Sequence, residues 1–514
     1  MLSTLIWLPI LGAAIIGFLP GNFTATRLRT ISLAISFTVF LWTLYLATSF
    51  STTEIGYQFQ EFLPWIETLG LDYKLGVDGL SFPLIALNAL LSWIAIYSSS
   101  KSVERPRLYY ALILLVNAGI AGAFVAQNLL LFFLFYELEL IPLYLLINIW
   151  GGSKRGYAAT KFLIYTAFSG ILILAGFLGT TWLSGSTSFN YDSITTQNLS
   201  LQSQLILLTV LLIGFGIKIP LVPLHTWLPD AYVEASPPVA ILLGGILAKL
   251  GTYGLLRFGL GLFPQTWTIV APVLAILGTI GVLYGSFSAI AQKDIKRMVA
   301  YSSIGHMGYV LLGSAAANSL SLVGVVSQMI AHGLILALLF HLVGVVENKV
   351  GTRDLDVLNG LMNPLRGLPV VSILLVYAGM ASAGIPGMVG FISEFMVFQG
   401  SYSVFPLLTL LAVVGTGLTA VYFVILLNRT CFGKLDNYKA YYPQVLWSER
   451  VPAFVLAALV LVLGVQPNWL VRWSETTATT MVATPVSTQL RSAKTAATEI
   501  PSISSSETNP QLTY

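Results

Sequence analysis

Apolar stretches of about 20 residues, separated by short polar connectors, recur along almost the whole of this 514-residue chain. A helix rising ~1.5 Å per residue needs a run of that length to cross a hydrocarbon core ~30 Å thick. The pattern predicts fourteen spans, at residues 2–19, 28–49, 79–98, 108–126, 128–149, 160–183, 203–222, 237–259, 268–291, 298–315, 320–346, 368–388, 403–428 and 450–466. Fourteen spans with their connectors use up the length, so a single membrane domain replaces the several soluble domains that length alone would suggest. The predicted class is all-α and polytopic. The first span lacks a basic leader and a small-x-small cleavage site, so it is expected to be a retained helix beginning near Met1. Residues 474–514, rich in Ser and Thr and without apolar periodicity, are expected to be disordered or draped over a partner.

Composition agrees, with 56% hydrophobic and only 9% charged residues and a mean hydropathy of +0.83. Charge then orients the spans. The odd-numbered connectors hold 18 of the 25 basic residues, which by the positive-inside rule assigns them to the cytoplasmic face and both termini to the opposite one. One cysteine, Cys431, excludes an internal disulfide, a CxxC pair and the thiolates of an iron–sulfur cluster. There is also no Gly-rich strand-to-helix turn to hold a flavin or nicotinamide. A chain of this kind carries no redox centre of its own, and nothing in it suggests nucleic acid.

Two spans are interrupted. The seventh runs into Lys218-Ile-Pro220 and then PLHTWLPDA; the twelfth runs through AGIPGMVGFISEF, with Gly384, Pro386, Gly387 and Gly390 ahead of Glu394. Helix breakers at membrane depth survive only where the freed backbone groups find protein or water. Two broken helices five spans apart, each beside an ionisable residue, are the pattern of repeated halves with sites at their interfaces. The predicted organisation is helices one to three at residues 1–107, a first repeat at 108–259, a second at 260–428, helix fourteen within 429–473, and the tail at 474–514.

Lys218 and Lys249 stand in LILLTVLLIGFGIKIPLVPL and PPVAILLGGILAKLGTYGLL. A charge at the bilayer centre costs at least ~2.5–3.5 kcal/mol, so it has a use and usually a partner. Glu137, Glu139, His306, His332, His341 and Glu394 are also inside spans. Carboxylate, amine, amine, imidazole and carboxylate make a proton wire, because burial and a movable counter-charge shift an amine between loaded and empty states, and imidazole relays near neutral pH. A buried Glu–Lys pair can instead merely pin helices. Two residues apart on one helix, Glu137 and Glu139 point roughly 200° apart, which favours Glu137 as the lysine's partner and leaves Glu139 as an accessory site or a contact with a neighbouring subunit. His341 is expected to satisfy a local hydrogen bond, and His306 to be either a cap or a relay. His225, Trp227 and Asp230 line a water path or stiffen a buried loop.

The segments GFGIKIPLVPLHTWLPDA, ILLGGILAKLGTYGLLRF, KDIKRMVAYSSIGHMGYVL, QMIAHGLILALLF and GIPGMVGFISEF make the chain resemble the antiporter-like membrane subunits of proton-pumping NAD(P)H-quinone oxidoreductases, the complex I family, and within it the chain 4 type. The resemblance covers roughly residues 75–435, with several long motifs in order. YELELIPLYLL and IWGG resemble the cyanobacterial and plastid branch.

That resemblance implies fourteen helices with two inverted five-helix repeats, each a proton half-channel. It implies that Glu137 is the fifth-helix glutamate, Lys218 its broken-helix lysine, Lys249 the central lysine, His306 and His332 part of the central polar axis, and Glu394 the exit residue. His341 departs from the family pattern. NAD(P)H or ferredoxin, iron–sulfur clusters and plastoquinone would then belong to partner subunits of the complex, in a thylakoid or a bacterial inner membrane. The shorter, divergent first 75 residues favour the carbon-uptake variant over the respiratory and cyclic-electron-flow form. The rival readings are a free-standing cation/proton antiporter and a membrane scaffold whose charges are helix pins.

Overall fold

The computed structural model describes residues 1–18, 21, 23–435 and 441–498. Two apolar helices open the chain, α1 (Ser3–Phe18) and α2 (Ala25–Ser49), the second capped by the Thr24 hydroxyl, which accepts from the Arg27 amide. Gly12 lets α1 press onto α2, since a Cβ there would lie 2.8 Å from Ile35. Close approach through small residues is the main way membrane helices attract one another.

An antiparallel hairpin follows, β1 (Gln58–Ile66) and β2 (Leu71–Val77), where the all-α expectation allowed only a connector. Gly70 turns it in the left-handed region at φ +63°, and a Cβ there would strike the Thr187 carbonyl oxygen. Asn128 ties the hairpin to the bundle: its Oδ1 accepts from the Leu130 and Leu131 amides and its Nδ2 donates to the Gly70 carbonyl at 3.0 Å.

The bundle continues with α3 (Phe82–Ser98), α4 (Pro106–Val125), α5 (Leu129–Leu138), α6 (Leu140–Trp150), α7 (Arg155–Leu183), α8 (Leu201–Lys218) and the short α9 (Trp227–Glu234). The eighth predicted span is α10 (Pro237–Leu242), a π turn at Leu243–Leu247, α11 (Ala248–Gly254) and a second π turn at Leu255–Leu260. Next come α12 (Pro264–Ile290) and α13 (Ile295–Ala316), whose backbones touch through Gly278, Gly285, Gly305 and Gly308. The central helix α14 (Ser319–Val350) is buried on every face from Ser321 to Val346, which places it in the interior.

The twelfth predicted span divides into α15 (Pro369–Ser382), a turn with Gly384 at φ +70° and Gly387 at φ +91°, and α16 (Val389–Tyr402). The last helices are α17 (Pro406–Thr430), α18 (Trp447–Val465) and α19 (Asn468–Thr498). Residues 474–498 are therefore helical, against the expectation of a disordered tail; the rest of the tail, 499–514, lies outside the described residues. The start of α19 is held by a stack of Phe50, Phe82 and Trp473 and by the Thr476 hydroxyl, which donates to the Thr52 carbonyl at 2.6 Å. Ten segments of the described chain are long and apolar enough to cross a membrane.

Candidate functional site

Pro142 lacks an N–H, so the Leu138 carbonyl loses its helical partner and the fifth predicted span breaks into α5 and α6. Glu139 sits at the break, with φ −79° and ψ −16°. Pro220 likewise ends α8 at Lys218. The two interruptions face each other: Lys218 forms a salt bridge with Glu139, the side chains 1% and 0% exposed. The ammonium also lies 4.2 Å from the Tyr136 ring centroid, a cation–π distance. The Tyr136 hydroxyl meets Ser169 at 3.2 Å, and Ser169 donates to the Gly214 carbonyl at 2.7 Å.

This corrects the expected Glu137–Lys218 pair. The 200° separation holds only for a continuous helix, and the break re-aims Glu139 onto the lysine. Glu137 is half-buried against α7, where Gly170 makes room for it; a Cβ on Gly170 would lie 2.2 Å from the Glu137 carboxylate. Glu139 Oε2 has no hydrogen-bond partner among the described residues. Two carboxylates therefore flank one lysine, one of them bonded and one adjacent.

Next to this pair lies an apolar wall. Phe132, Phe177, Phe215 and Phe258 pack ring against ring, with centroids as close as 4.7 and 4.9 Å, and Tyr253 stacks on Phe132. Gly254 brings α11 onto Phe215, and Gly251 brings it onto the Phe215 carbonyl and Ile219.

Lys249 is fully buried between the two π turns. Such turns concentrate at functional sites because they re-aim carbonyls and side chains. Its ammonium donates to the Gly244 carbonyl at 2.7 Å and lies 2.7 Å from His332 Nδ1. A charged lysine can only donate, so Nδ1 is then the acceptor and the ring proton sits on Nε2, which has no partner among the described residues. The rings of His332 and His306 are 5.6 Å apart.

His306 is buried between two backbone carbonyls. Its Nδ1 is 2.8 Å from the Ser302 carbonyl and its Nε2 is 3.1 Å from the Ser382 carbonyl, so a protonated ring satisfies both acceptors and a neutral ring only one. Glu394 Oε1 stands 3.6 Å from Nε2. The other Glu394 oxygen accepts from Thr416 at 3.3 Å, and Gly384 is required beside it because a Cβ would come within 2.9 Å. Among His306, His332, Gln328, Ser382 and Glu394 is a cavity of about 10 Å³. A space of ~10–15 Å³ lined by polar groups holds about one water.

The accessory residues stand apart from this line. His225 bonds the Tyr284 hydroxyl at 3.0 Å, and Asp230 joins Lys161 at 2.8 Å and Arg297 at 3.0 Å, pinning α7, α9 and α13. His341 bonds the Glu449 carbonyl at 2.6 Å, the local bond expected of it. Sequence reasoning missed Tyr136, Ser302, Gln328, Ser382 and Thr416. A signal existed for two of them, since Ser302 and Gln328 lie four residues ahead of His306 and His332, one helical turn away.

Apolar membrane-length helices around a buried line of ionisable groups define an integral membrane protein. Residues 126–419 match the family model described as NADH:quinone oxidoreductase/Mrp antiporter, TM. The chain is 41% identical over 493 residues to NAD(P)H-quinone oxidoreductase chain 4 1 of Synechococcus elongatus, covering 94% of this chain and 91% of that one. It is 40% identical over 477 residues to chain 4 2 of Thermosynechococcus vestitus, covering 91% and 89%. Its fold superposes on a chain of respiratory complex I from Thermus thermophilus with a TM-score of 0.84 at 27% identity, over 94% of this chain and 99% of that one. A chain of the Mrp complex from Dietzia sp. has the same fold, with a TM-score of 0.83 at 20% identity over 94% and 97%. The chain belongs to the antiporter-like membrane-subunit family of the NADH:quinone oxidoreductases and Mrp antiporters.

Proposed function

We propose that the chain is a proton-translocating, non-redox membrane subunit of an NAD(P)H- or ferredoxin-driven plastoquinone oxidoreductase, working beside other membrane subunits in a cyanobacterial thylakoid. The observation that carries this reading is the run Lys249–His332–His306–Glu394, whose members touch or stand one water apart. Electron transfer through iron–sulfur clusters in partner subunits would perturb the Lys218 ion pair. Lys218 would pass its proton through water to Lys249, and the histidines would hand it to Glu394 for release. The two halves, 108–259 and 260–428, would act as inverted repeats within a fourteen-span bundle whose odd connectors face the cytoplasm. The divergent N-terminal region favours the carbon-uptake form of the complex.

The test is the assembled complex in sealed vesicles, with proton uptake and quinone reduction measured together. Lys249→Met and Glu394→Gln should each abolish proton uptake while the complex still assembles. Normal proton stoichiometry in both variants would overturn the wire. Proton movement driven by Na⁺ or K⁺ gradients with this chain alone would favour the free-standing antiporter instead.

A further inference from the structure

The basic end of the bundle holds a cavity of about 330 Å³ that the proton line does not use. Elements from five odd connectors meet around it: Arg29 near the start of α2, Lys101 after α3, Pro237 opening α10, Asn348 ending α14 and Leu446 ahead of α18. Arg29 is 8% exposed. Its guanidinium donates to the Tyr97 carbonyl and lies over the Tyr97 ring at 5.4 Å, while its Nε is buried without a hydrogen-bond partner among the described residues. Glu449, the one carboxylate lining the cavity among the described residues, is taken by Lys349 at 3.0 Å.

A buried cation without a counter-charge is costly, and the cost is removed when an anion binds. Further groups converge there. Ser98 lines the same cavity, and its hydroxyl is buried without a partner among the described residues. His341 bonds the Glu449 carbonyl through Nε2, and a carbonyl only accepts, so Nε2 carries the proton and Nδ1 is left as an acceptor. Leu446 and Trp447, beside the cavity, are 58% and 71% exposed. Exposed tryptophan is typical of the headgroup level, and basic pockets between helices at the cytoplasmic face suit anionic headgroups.

We propose that this cavity binds the phosphate of an anionic phospholipid whose headgroup carries a hydroxyl. Arg29 and Lys101 hold the phosphate, His341 Nδ1 accepts from the headgroup hydroxyl, and the acyl chains leave past Leu446 and Trp447. The lipid then bridges α2, α3, α14 and α18, which no side-chain ion pair of Arg29 does.

The test uses the intact complex, stripped of lipid in detergent and then supplied with phosphatidylglycerol, phosphatidylcholine or inorganic phosphate, with retained phospholipid and thermal midpoint measured. Phosphatidylglycerol should be retained and raise the midpoint, and phosphatidylcholine should do neither. Arg29→Gln should weaken retention about fivefold, the usual contribution of one basic side chain at an anionic surface, and Arg29→Lys should restore most of it. Lys101 is exposed, so Lys101→Gln gives the same test in a variant that folds regardless. Unchanged phosphatidylglycerol retention in Lys101→Gln and Arg29→Gln would overturn the site. A midpoint shift as large with inorganic phosphate alone would overturn the lipid and assign the cavity to a free phosphate.

Discussion

The two buried charge systems of this bundle are built differently. Around Lys218 the structure is dry: one tight ion pair at facing helix breaks, an aromatic ring against the ammonium, and a phenylalanine wall alongside. From Lys249 onward it is as deeply buried but more polar, with carbonyls, hydroxyls, two imidazoles and a cavity of about 10 Å³, space for one water, before Glu394. A dry pair magnifies any change in charge separation, because the attraction is poorly screened there. A run of donors and acceptors in contact, or one water apart, would let a proton hop along it. In the proposed function the first region would be the switch and the second the conductor.

The strongest attack on that contrast is to break the pair from one side. Lys218→Met leaves Glu139 buried and unpartnered and should cost ~3–5 kcal/mol, while Lys218→Met with Glu139→Gln should recover most of the stability. Both variants should lose proton uptake. If the single change unfolds no more readily than the double one, by thermal unfolding of the complex, the pair is not the tight one described. Next in size is the wall: Phe132→Ala should destabilise by ~3–5 kcal/mol and open a proton leak. Vesicles that stay as proton-tight as the wild type would deny the wall a sealing role.

A finer comparison separates the two carboxylates. Glu139→Gln should reduce proton uptake more than Glu137→Gln, since only Glu139 is bonded to the lysine. The reverse order would mean that Lys218 works against Glu137 and that the Glu139 contact is a resting state. The smallest effect is expected far from both regions. Asp356, in the connector after α14, is hydrogen-bonded by Lys293 at 2.7 Å and by Arg429 at 2.8 Å, which holds its carboxyl below its ordinary 3.8. A lowered carboxyl contributes above its unfolded value and loses that contribution as pH falls through the folded one. Asp356→Asn should therefore leave the midpoint near neutral pH almost unchanged, the site being exposed, and should flatten its fall in acid.

Much of this was legible in the sequence because the cost of charge in lipid is high enough to single residues out. Lys218, Lys249, His306, His332 and Glu394 announce themselves as ionisable groups in apolar runs, and Pro220 and Gly384 mark two of the breaks. Glu139 was misassigned because its direction depends on Pro142, three residues on, whose missing N–H interrupts the helix that the angle was measured on. The hairpin went unseen since alternation at period two is a faint signal between long apolar spans, and Asn128, which ties it down, reads as an ordinary cap. Polar residues scattered among Ser and Thr hide the helix at 474–498, which is held by tertiary contacts such as the Trp473 stack more than by its own periodicity.

The central helix α14 has a mechanical property that its charge alone does not convey. His332 stands eighteen residues before the basic-side end at Val350, an arm of about 27 Å along the axis. Pivoting that arm by only ~2° carries the imidazole sideways by about 1 Å, and its contact with Lys249 is 2.7 Å long. A displacement of that size is a large fraction of the bond itself, so the tight seating of α14, with Gly333 against the Gly245 carbonyl and Gly324 against Val397, is what keeps Lys249 joined to the histidines.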